Sequence, residues 1–124
     1  MRRRLLASLM ALLLAFGLVS SASAQSYSFS LPKEVVDVYW NADGSMAVNY
    51  AFTFTNEPGA HVIDFVDVGT PNYSYDGSQI RADVNGNPVT ISTDYQGTGS
   101  GFAVDLGGYA IQPGQSGTVN VYIG

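Results

Sequence analysis

MAVNYAFTFT (residues 46–55) is the segment that decides the fold class of this 124-residue chain. Large apolar side chains take every second position: Met46, Val48, Tyr50, Phe52 and Phe54. Alanine, asparagine and threonine fill the positions between them. Because successive side chains of an extended chain point to opposite faces, this pattern puts the large side chains on one face. The segment therefore predicts a β-strand with one buried face.

A hairpin is predicted immediately before this strand. Apolar residues alternate again from Val36 through Val38 to Trp40. The link between the two segments, residues 41–45 (NADGS), is rich in residues that tolerate left-handed backbone conformations. We therefore expect the two segments to pair as antiparallel strands joined by this turn.

The same alternation continues downstream. Apolar residues alternate over residues 80–84 and again over residues 89–91. The Asn85-Gly86 pair between them predicts a second hairpin, because a tight type I′ turn needs positive φ at both central positions. Residues 61–68 carry large side chains on both faces, which predicts a strand in the middle of a sheet.

The remaining segments complete an all-β pattern. Further strands are expected at residues 102–106 and 119–123, with a loop at 70–78 and a glycine-rich connection at 95–101. About seven or eight short strands at this spacing favour an antiparallel β-sandwich of immunoglobulin-like or jelly-roll-like type. An open barrel is the alternative architecture.

The N-terminus has the pattern of a cleavable signal peptide. Three arginines follow Met1, an apolar run covers residues 5–19, and small residues lead to Ala22-Ser23-Ala24. This order of charged, apolar and small-residue segments is what export requires. We expect residues 1–24 to be removed, by the general or the twin-arginine route, and residues 25–124 to form one exported domain.

The composition of that domain disfavours some classes of binding partner. After residue 24 the only cations are Lys33 and Arg81, against ten carboxylates, so the formal charge is −8. Such a surface disfavours nucleic-acid binding and electrostatic docking on anionic membranes. The chain has no cysteine, so packing alone must hold the domain together.

Residues 36–89 resemble the extracellular domain of a family of predicted bacterial membrane proteins catalogued as domain of unknown function 2207. The resemblance is carried by residues 36–38 with the turn at 41–45, by the aromatic strand at 50–54, and by the hairpin at 84–89. It implies an outer domain followed by transmembrane helices, and it supplies no catalytic residues. On this basis we expect the 124 residues to be the N-terminal part of a longer protein, with the domain truncated at its C-terminus. The longer protein would contact the membrane only through a missing C-terminal anchor.

Loop tyrosines are the candidate ligand-binding residues. They are Tyr73, Tyr75, Tyr95 and Tyr109. Aromatic rings in loops can form a stacking platform for a sugar or a peptide, and the alternative is that they cap the ends of the fold.

A calcium-loop spacing supplies the candidate metal ligands. Asp83, Asn85, Asn87 and Asp94 stand at positions 1, 3, 5 and 12 of such a loop. However, Pro88 replaces the glycine that the sharp turn requires, and a hairpin turn accounts for the same residues. No cofactor is expected.

His61 is the single histidine of the chain, and Asp64 and Asp67 are close to it in sequence. No motif marks a serine that it would activate, since Gly97 to Gly101 does not match a nucleophile elbow. We therefore expect His61 to be structural and the protein to have no catalytic residues.

These observations predict a non-enzymatic, extracytoplasmic β-sandwich module of a cell-envelope or membrane-anchored protein. It would act through contacts with an unknown protein or glycan ligand. A secreted carbohydrate-binding module is the alternative, and a fragment of a secreted hydrolase is the third possibility.

Overall fold

A computed structural model describes residues 26–124 of the chain. The predicted signal peptide, residues 1–24, lies outside the described residues. Over the described range there are seven strands: β1 (Phe29–Trp40), β2 (Met46–Asn56), β3 (Phe65–Gly69), β4 (Arg81–Val84), β5 (Asn87–Ser92), β6 (Gly101–Asp105) and β7 (Ser116–Ile123). Short 3-10 turns at Gly77–Gln79 and Gly107–Tyr109 precede β4 and follow β6.

The strands form one sheet in the order β1-β2-β7-β4-β5-β6-β3, and every neighbouring pair is antiparallel. The prediction of an all-β, antiparallel fold is confirmed. The two separate sheets of a sandwich are not confirmed, because β5 connects the two groups of strands: its residues 87–89 pair with β4 and its residues 90–92 pair with β6. Hydrogen bonding therefore runs from edge to edge, and the sheet curls into a half-barrel that is closer to the open-barrel alternative.

The odd number of strands excludes closure of this sheet by an antiparallel pair. Because every neighbour is antiparallel, the two edge strands, β1 and β3, run in the same direction. They cannot pair with each other in the antiparallel manner of the other strands. Within residues 26–124, the outer edges of β1 and β3 therefore lack a strand partner, and the curled sheet has an open side between them.

The hydrophobic core covers the concave face of the sheet. β7 lies between β2 and β4, and its Val119 and Val121 are completely buried. Phe54 of β2 and Val104 of β6 belong to the same packed cluster. Burying one such valine contributes about 1.5 to 3 kcal/mol. The alternating pattern of β2, β4, β6 and β7 therefore provides most of the core, as predicted.

The strand predicted at residues 61–68 differs from expectation. β3 begins only at Phe65, and it is an edge strand, so the prediction of a central strand was wrong. Ile63 makes an isolated bridge to Ile111 instead of continuing the strand. Residues 61–68 carry large side chains on both faces for another reason. Phe65 is 40% exposed and lies at the gap between β1 and β3.

The second hairpin is confirmed. β4 and β5 are joined by Asn85 and Gly86, which have φ values of 51° and 86°. Left-handed backbone at both positions is what a two-residue type I′ turn requires. The local sequence alone was sufficient to predict this turn.

Gly86→Ala should lower the free energy of unfolding by about 1 kcal/mol, because an L side chain resists positive φ. An added Cβ meets nothing within 4 Å at Gly86 or at Gly108, but only Gly86 has positive φ. Gly108→Ala is therefore the control for adding a methyl group without backbone strain. Urea unfolding of the two variants should give a lower midpoint for Gly86→Ala, and equal midpoints would contradict the assignment of strain.

Asn56 ties three segments together at the end of β2. Its side chain is 1% exposed, and its Nδ2 donates to the carbonyls of His61 and Ile111, each at 3.0 Å. Its backbone N–H donates to the carbonyl of Gln115, and its own carbonyl accepts from Gly114. One buried amide therefore fixes the segments that lead into β3 and β7.

Asn56→Ala should lower the free energy of unfolding by about 1 to 3 kcal/mol, because it removes both side-chain hydrogen bonds and takes this donor from the partly buried carbonyl of His61, while the carbonyl of Ile111 keeps the Ile63 N–H. Asn49→Ala is the matched control, since Asn49 is only half-buried on the same strand. Guanidinium unfolding measures both changes. A loss at Asn56 no larger than that at Asn49 would contradict the role of the buried amide.

Candidate functional site

An apolar groove runs along the open side of the sheet. It has a volume of about 420 Å³ and lies between the first part of β1 and strand β3. Its lining residues are Tyr27, Phe29, Leu31, Phe52, Phe54, Ile63, Phe65, Val66 and Asp67. We call this feature the apolar groove.

The segment that precedes β1 closes one end of the apolar groove. His61 donates its backbone N–H to the carbonyl of Ser26, and Glu57 donates to the carbonyl of Ser28, each at 3.0 Å. These bonds hold Tyr27 against His61, with ring centroids 4.6 Å apart. At this end the chain before β1 therefore contacts the chain before β3.

Aromatic contacts connect the rim of the groove to its floor. Tyr27 meets Phe65 edge-on, with centroids 5.9 Å apart, and Phe29 meets Phe54 edge-on at 5.4 Å. Phe54 is buried, but Phe29 is 50% exposed. Exposed apolar side chains next to a buried aromatic floor are typical of a surface that binds another molecule.

A side-chain hydrogen bond joins the segment before β1 to the segment before β3 at the closed end. The Tyr27 hydroxyl donates to Asp64 Oδ1 at 2.7 Å. This bond to the carboxylate, together with smaller contributions from burial and from the charge of Asp64, raises the pKa of Tyr27 to about 12. The phenol therefore stays protonated over the whole physiological range.

A second recess, the hairpin pocket, lies at the other end of β1. It has a volume of about 440 Å³, and its aromatic side chains are Trp40, Tyr50 and Tyr75. Asn72 and Asp76 are among its polar lining residues. Trp40 is 74% exposed.

Hydrogen bonds fix the loop that forms one wall of the hairpin pocket. The carbonyl of Asn72 accepts from the hydroxyls of Thr70 and Ser100, at 2.9 and 2.7 Å. The Tyr75 hydroxyl donates to the carbonyl of Gly101 at 3.0 Å. The pocket therefore has a preformed wall on its loop side.

The structure does not bring the four predicted loop tyrosines together. Tyr73 is 78% exposed, whereas Tyr75 is half-buried against Phe102. Tyr95 lies over Gly101, where it leaves no room for a side chain. Because neighbouring residues of a strand face opposite sides, Tyr75 and Tyr95 lie on opposite faces of β6.

Tyr109 lies apart from the other tyrosines, in the 3-10 turn that follows the far end of β6.

The sequence did not predict the rim residues Phe29, Leu31 and Phe65 of the apolar groove. One signal for Phe65 was present in the sequence, since residues 61–68 carry large side chains on both faces. That pattern is typical of a strand that lines a groove as well as of a central strand.

The predicted metal ligands serve the second hairpin. Asp83 Oδ1 accepts from the Gly86 N–H and from the Asn120 amide, each at 2.9 Å. Asn85 Oδ1 accepts from the Thr118 N–H at 2.9 Å. Among residues 26–124, no group of three or more His, Cys, Asp or Glu side chains is arranged to hold a metal ion.

Asn87 and Asp94 complete the predicted ligand set, and each has its own local contact. Asn87 donates its amide to the carbonyl of Val84 at 3.1 Å, across the turn. Asp94 accepts from the Gln96 amide at 2.7 Å, in the link after β5. The hairpin and this link therefore account for the polar contacts of both residues.

His61 lies beside the closed end of the apolar groove. Its Nδ1 is 2.6 Å from the carbonyl of Val62, which fits donation by the ring to the backbone. Asp64 accepts the hydrogen bond from the Tyr27 hydroxyl, and it lies two residues before Val66, which lines the groove. These hydrogen bonds tie both side chains to neighbouring segments, and a purely structural role for His61 stays a prediction.

No family model, curated protein or solved structure matches this chain. The resemblance to the family of domain of unknown function 2207 therefore stays a prediction. Over residues 26–124, no helix has the length and apolarity needed to cross a membrane.

Asp64→Asn should bring the pKa of Tyr27 down from about 12 toward its ordinary value of 10, because the hydrogen bond to the carboxylate is the largest cause of the shift. The pKa is higher in the folded than in the unfolded chain, so the bond stabilises the fold below pH 10. That stabilisation is lost as the pH rises from 10 through about 12. NMR titration of ring-labelled tyrosine measures the change, with Tyr27→Phe to assign the signal. An unchanged titration in Asp64→Asn would contradict the cause.

Proposed function

We propose that this chain is a non-enzymatic, extracytoplasmic binding module that holds an extended apolar segment of a partner protein in the apolar groove. The observation that carries the proposal is the position of the groove. It lies between two strand edges that run in the same direction and have no strand partner among the described residues.

An extended segment suits this opening because it adds a strand to a sheet edge. A segment antiparallel to β1 is also antiparallel to β3, since the two edges share one direction. Free N–H and C=O groups of the β3 edge then provide affinity, because the register shift between Ser30 and Lys33 interrupts the β1 edge beside the groove, and alternate side chains of the segment provide specificity. The apolar lining favours Val, Leu, Ile or Phe at the positions that point into the groove.

Charge favours a basic residue beside those apolar positions. Asp67 lines the groove and is exposed. The domain carries a formal charge of −8 after residue 24, so its field attracts cationic partners and repels anionic ones. The proposed ligand is therefore an apolar, strand-forming peptide segment with a lysine or arginine near the Asp67 end.

The extracytoplasmic location is part of the proposal. The order of arginines, apolar run and small residues within residues 2–24 supports export. The resemblance to the family of domain of unknown function 2207 supports a role at the cell envelope.

A selection with a random library of short peptides tests the binding role. We expect the exported protein to enrich peptides in which apolar residues alternate and a lysine or arginine is present. Leu31→Ser and Phe65→Ser should each weaken binding of the enriched peptides about tenfold or more, because both side chains line the groove. Both are about two-fifths exposed, so the fold should survive the changes.

Trp40→Ser is the matched control, because Trp40 is an exposed apolar residue outside the apolar groove. Titration calorimetry with an enriched peptide should give the same Kd for this variant and the unchanged protein. Peptides that bind the Phe65→Ser protein without loss, or a selection that enriches nothing, would overturn the proposal.

Carbohydrate binding at the hairpin pocket is the second candidate function. The favouring observation is the exposed Trp40 ring beside Tyr75 and the polar side chains of Asn72 and Asp76. Sugars stack on such rings and form hydrogen bonds with such neighbours. A glycan array with the unchanged and the Trp40→Ser proteins separates this candidate, since glycan binding that depends on Trp40 would support it.

A further inference from the structure

The turn after β1 shows which backbone groups of that strand have no strand partner among residues 26–124. Asn41 donates its N–H to the carbonyl of Ser45 at 2.9 Å, which makes these two residues a hydrogen-bonded pair. Bonded and non-bonded pairs alternate along antiparallel strands. The odd-numbered residues from Tyr39 back to Lys33 therefore bond to β2. The even-numbered residues direct their N–H and C=O groups to the free edge: Glu34, Val36, Val38 and Trp40.

Protection of this edge is confined to the start of β1. Proline, lysine and β-bulges are the usual devices that stop an edge strand from pairing with another chain. Pro32 and the register shift between Ser30 and Lys33 are such devices. Beyond Lys33 the strand continues to Trp40 as a regular pair with β2, and its side chains are exposed.

Lys33 and Asp37 give this edge a complementary charge pattern. Both pair with residues on the convex face of β2, Thr53 and Asn49. They are separated by about 13 Å along the strand, at a rise of about 3.3 Å per residue. The two charges therefore cannot meet within one chain, but they can meet their counterparts in a second, antiparallel copy.

We propose that two copies of this chain associate by antiparallel pairing of their β1 edges about a twofold axis at Val35. Lys33 of each copy then faces Asp37 of the other copy on the convex face. Glu34 and Val36 exchange backbone hydrogen bonds on either side of the axis. Directly opposed residues of opposite charge stabilise such a pair.

The pattern of free backbone groups and charges selects this register. Even-numbered residues must pair with even-numbered residues, so the axis passes through a residue and not between two. An axis at Lys33, Glu34 or Asp37 puts like charges opposite each other. An axis at Val36 leaves Lys33 opposite Tyr39, without an ion pair. The axis at Val35 joins both opposite charges.

This interface goes beyond the proposed binding function and uses another part of β1. It covers residues 33–37, whereas the apolar groove is lined by residues 27–31, before the register shift. If an experiment overturns either the dimer or the peptide-binding proposal, the other proposal is unaffected.

Sedimentation equilibrium of the exported protein tests the proposal. We expect a reversible dimer in the unchanged protein. K33D and D37K should each dimerise about tenfold more weakly or worse, because like charges then face each other twice across the axis. An equimolar mixture of the K33D and D37K proteins should recover the dimer, since every facing pair is again of opposite charge.

R81D is the matched control, because it changes the net charge as K33D does but lies on β4. It should dimerise like the unchanged protein. A monomer at all concentrations would overturn the proposal. A dimer that K33D and D37K do not weaken, or a mixture that stays monomeric, would overturn it as well.

Discussion

Antiparallel pairing in a sheet with an odd number of strands leaves its two edges running in the same direction, and most features of this protein depend on that constraint. β1 and β3 cannot join each other as the other strands do. Apolar side chains near those edges consequently stay partly exposed, as at Phe29 and Phe65. Within residues 26–124, the apolar groove and the unpaired outer edge of β1 both occur where the sheet does not close.

The opening between β1 and β3 is tied at one end. Where β1 and β3 begin, the Tyr27 hydroxyl bonds to Asp64, and backbone bonds join Ser26 to His61. Buried Asn56 stiffens this tied end by fixing the segments that lead into β3 and β7. Near the end of β1, Trp40 is 74% exposed, and no comparable hydrogen bond crosses the opening there among the described residues.

Local features of the fold were predictable from the sequence, and its closure was not. Alternation in β2 and the Asn85-Gly86 turn are set by neighbouring residues, so they could be predicted directly. Period-two alternation tells which face of a strand is buried, but it does not tell what covers that face. The single sheet and the edge position of β3 were missed for this reason. Tyr75 was identified as a loop aromatic, whereas Phe65 was not recognised as part of a site, because exposed and buried apolar residues look the same in a sequence.

The central position of β7 affects the order in which this chain can fold. β7 is the last of the strands within residues 26–124, yet it lies between β2 and β4 and links the first hairpin to the rest of the sheet. Its contacts join distant parts of the chain, and such non-local pairing slows folding. During synthesis, the β1–β2 hairpin must wait with an unpaired inner edge until residues 116–123 have emerged. The domain therefore stays incomplete until β7 has emerged, and in that interval it is most exposed to misfolding and to binding by chaperones.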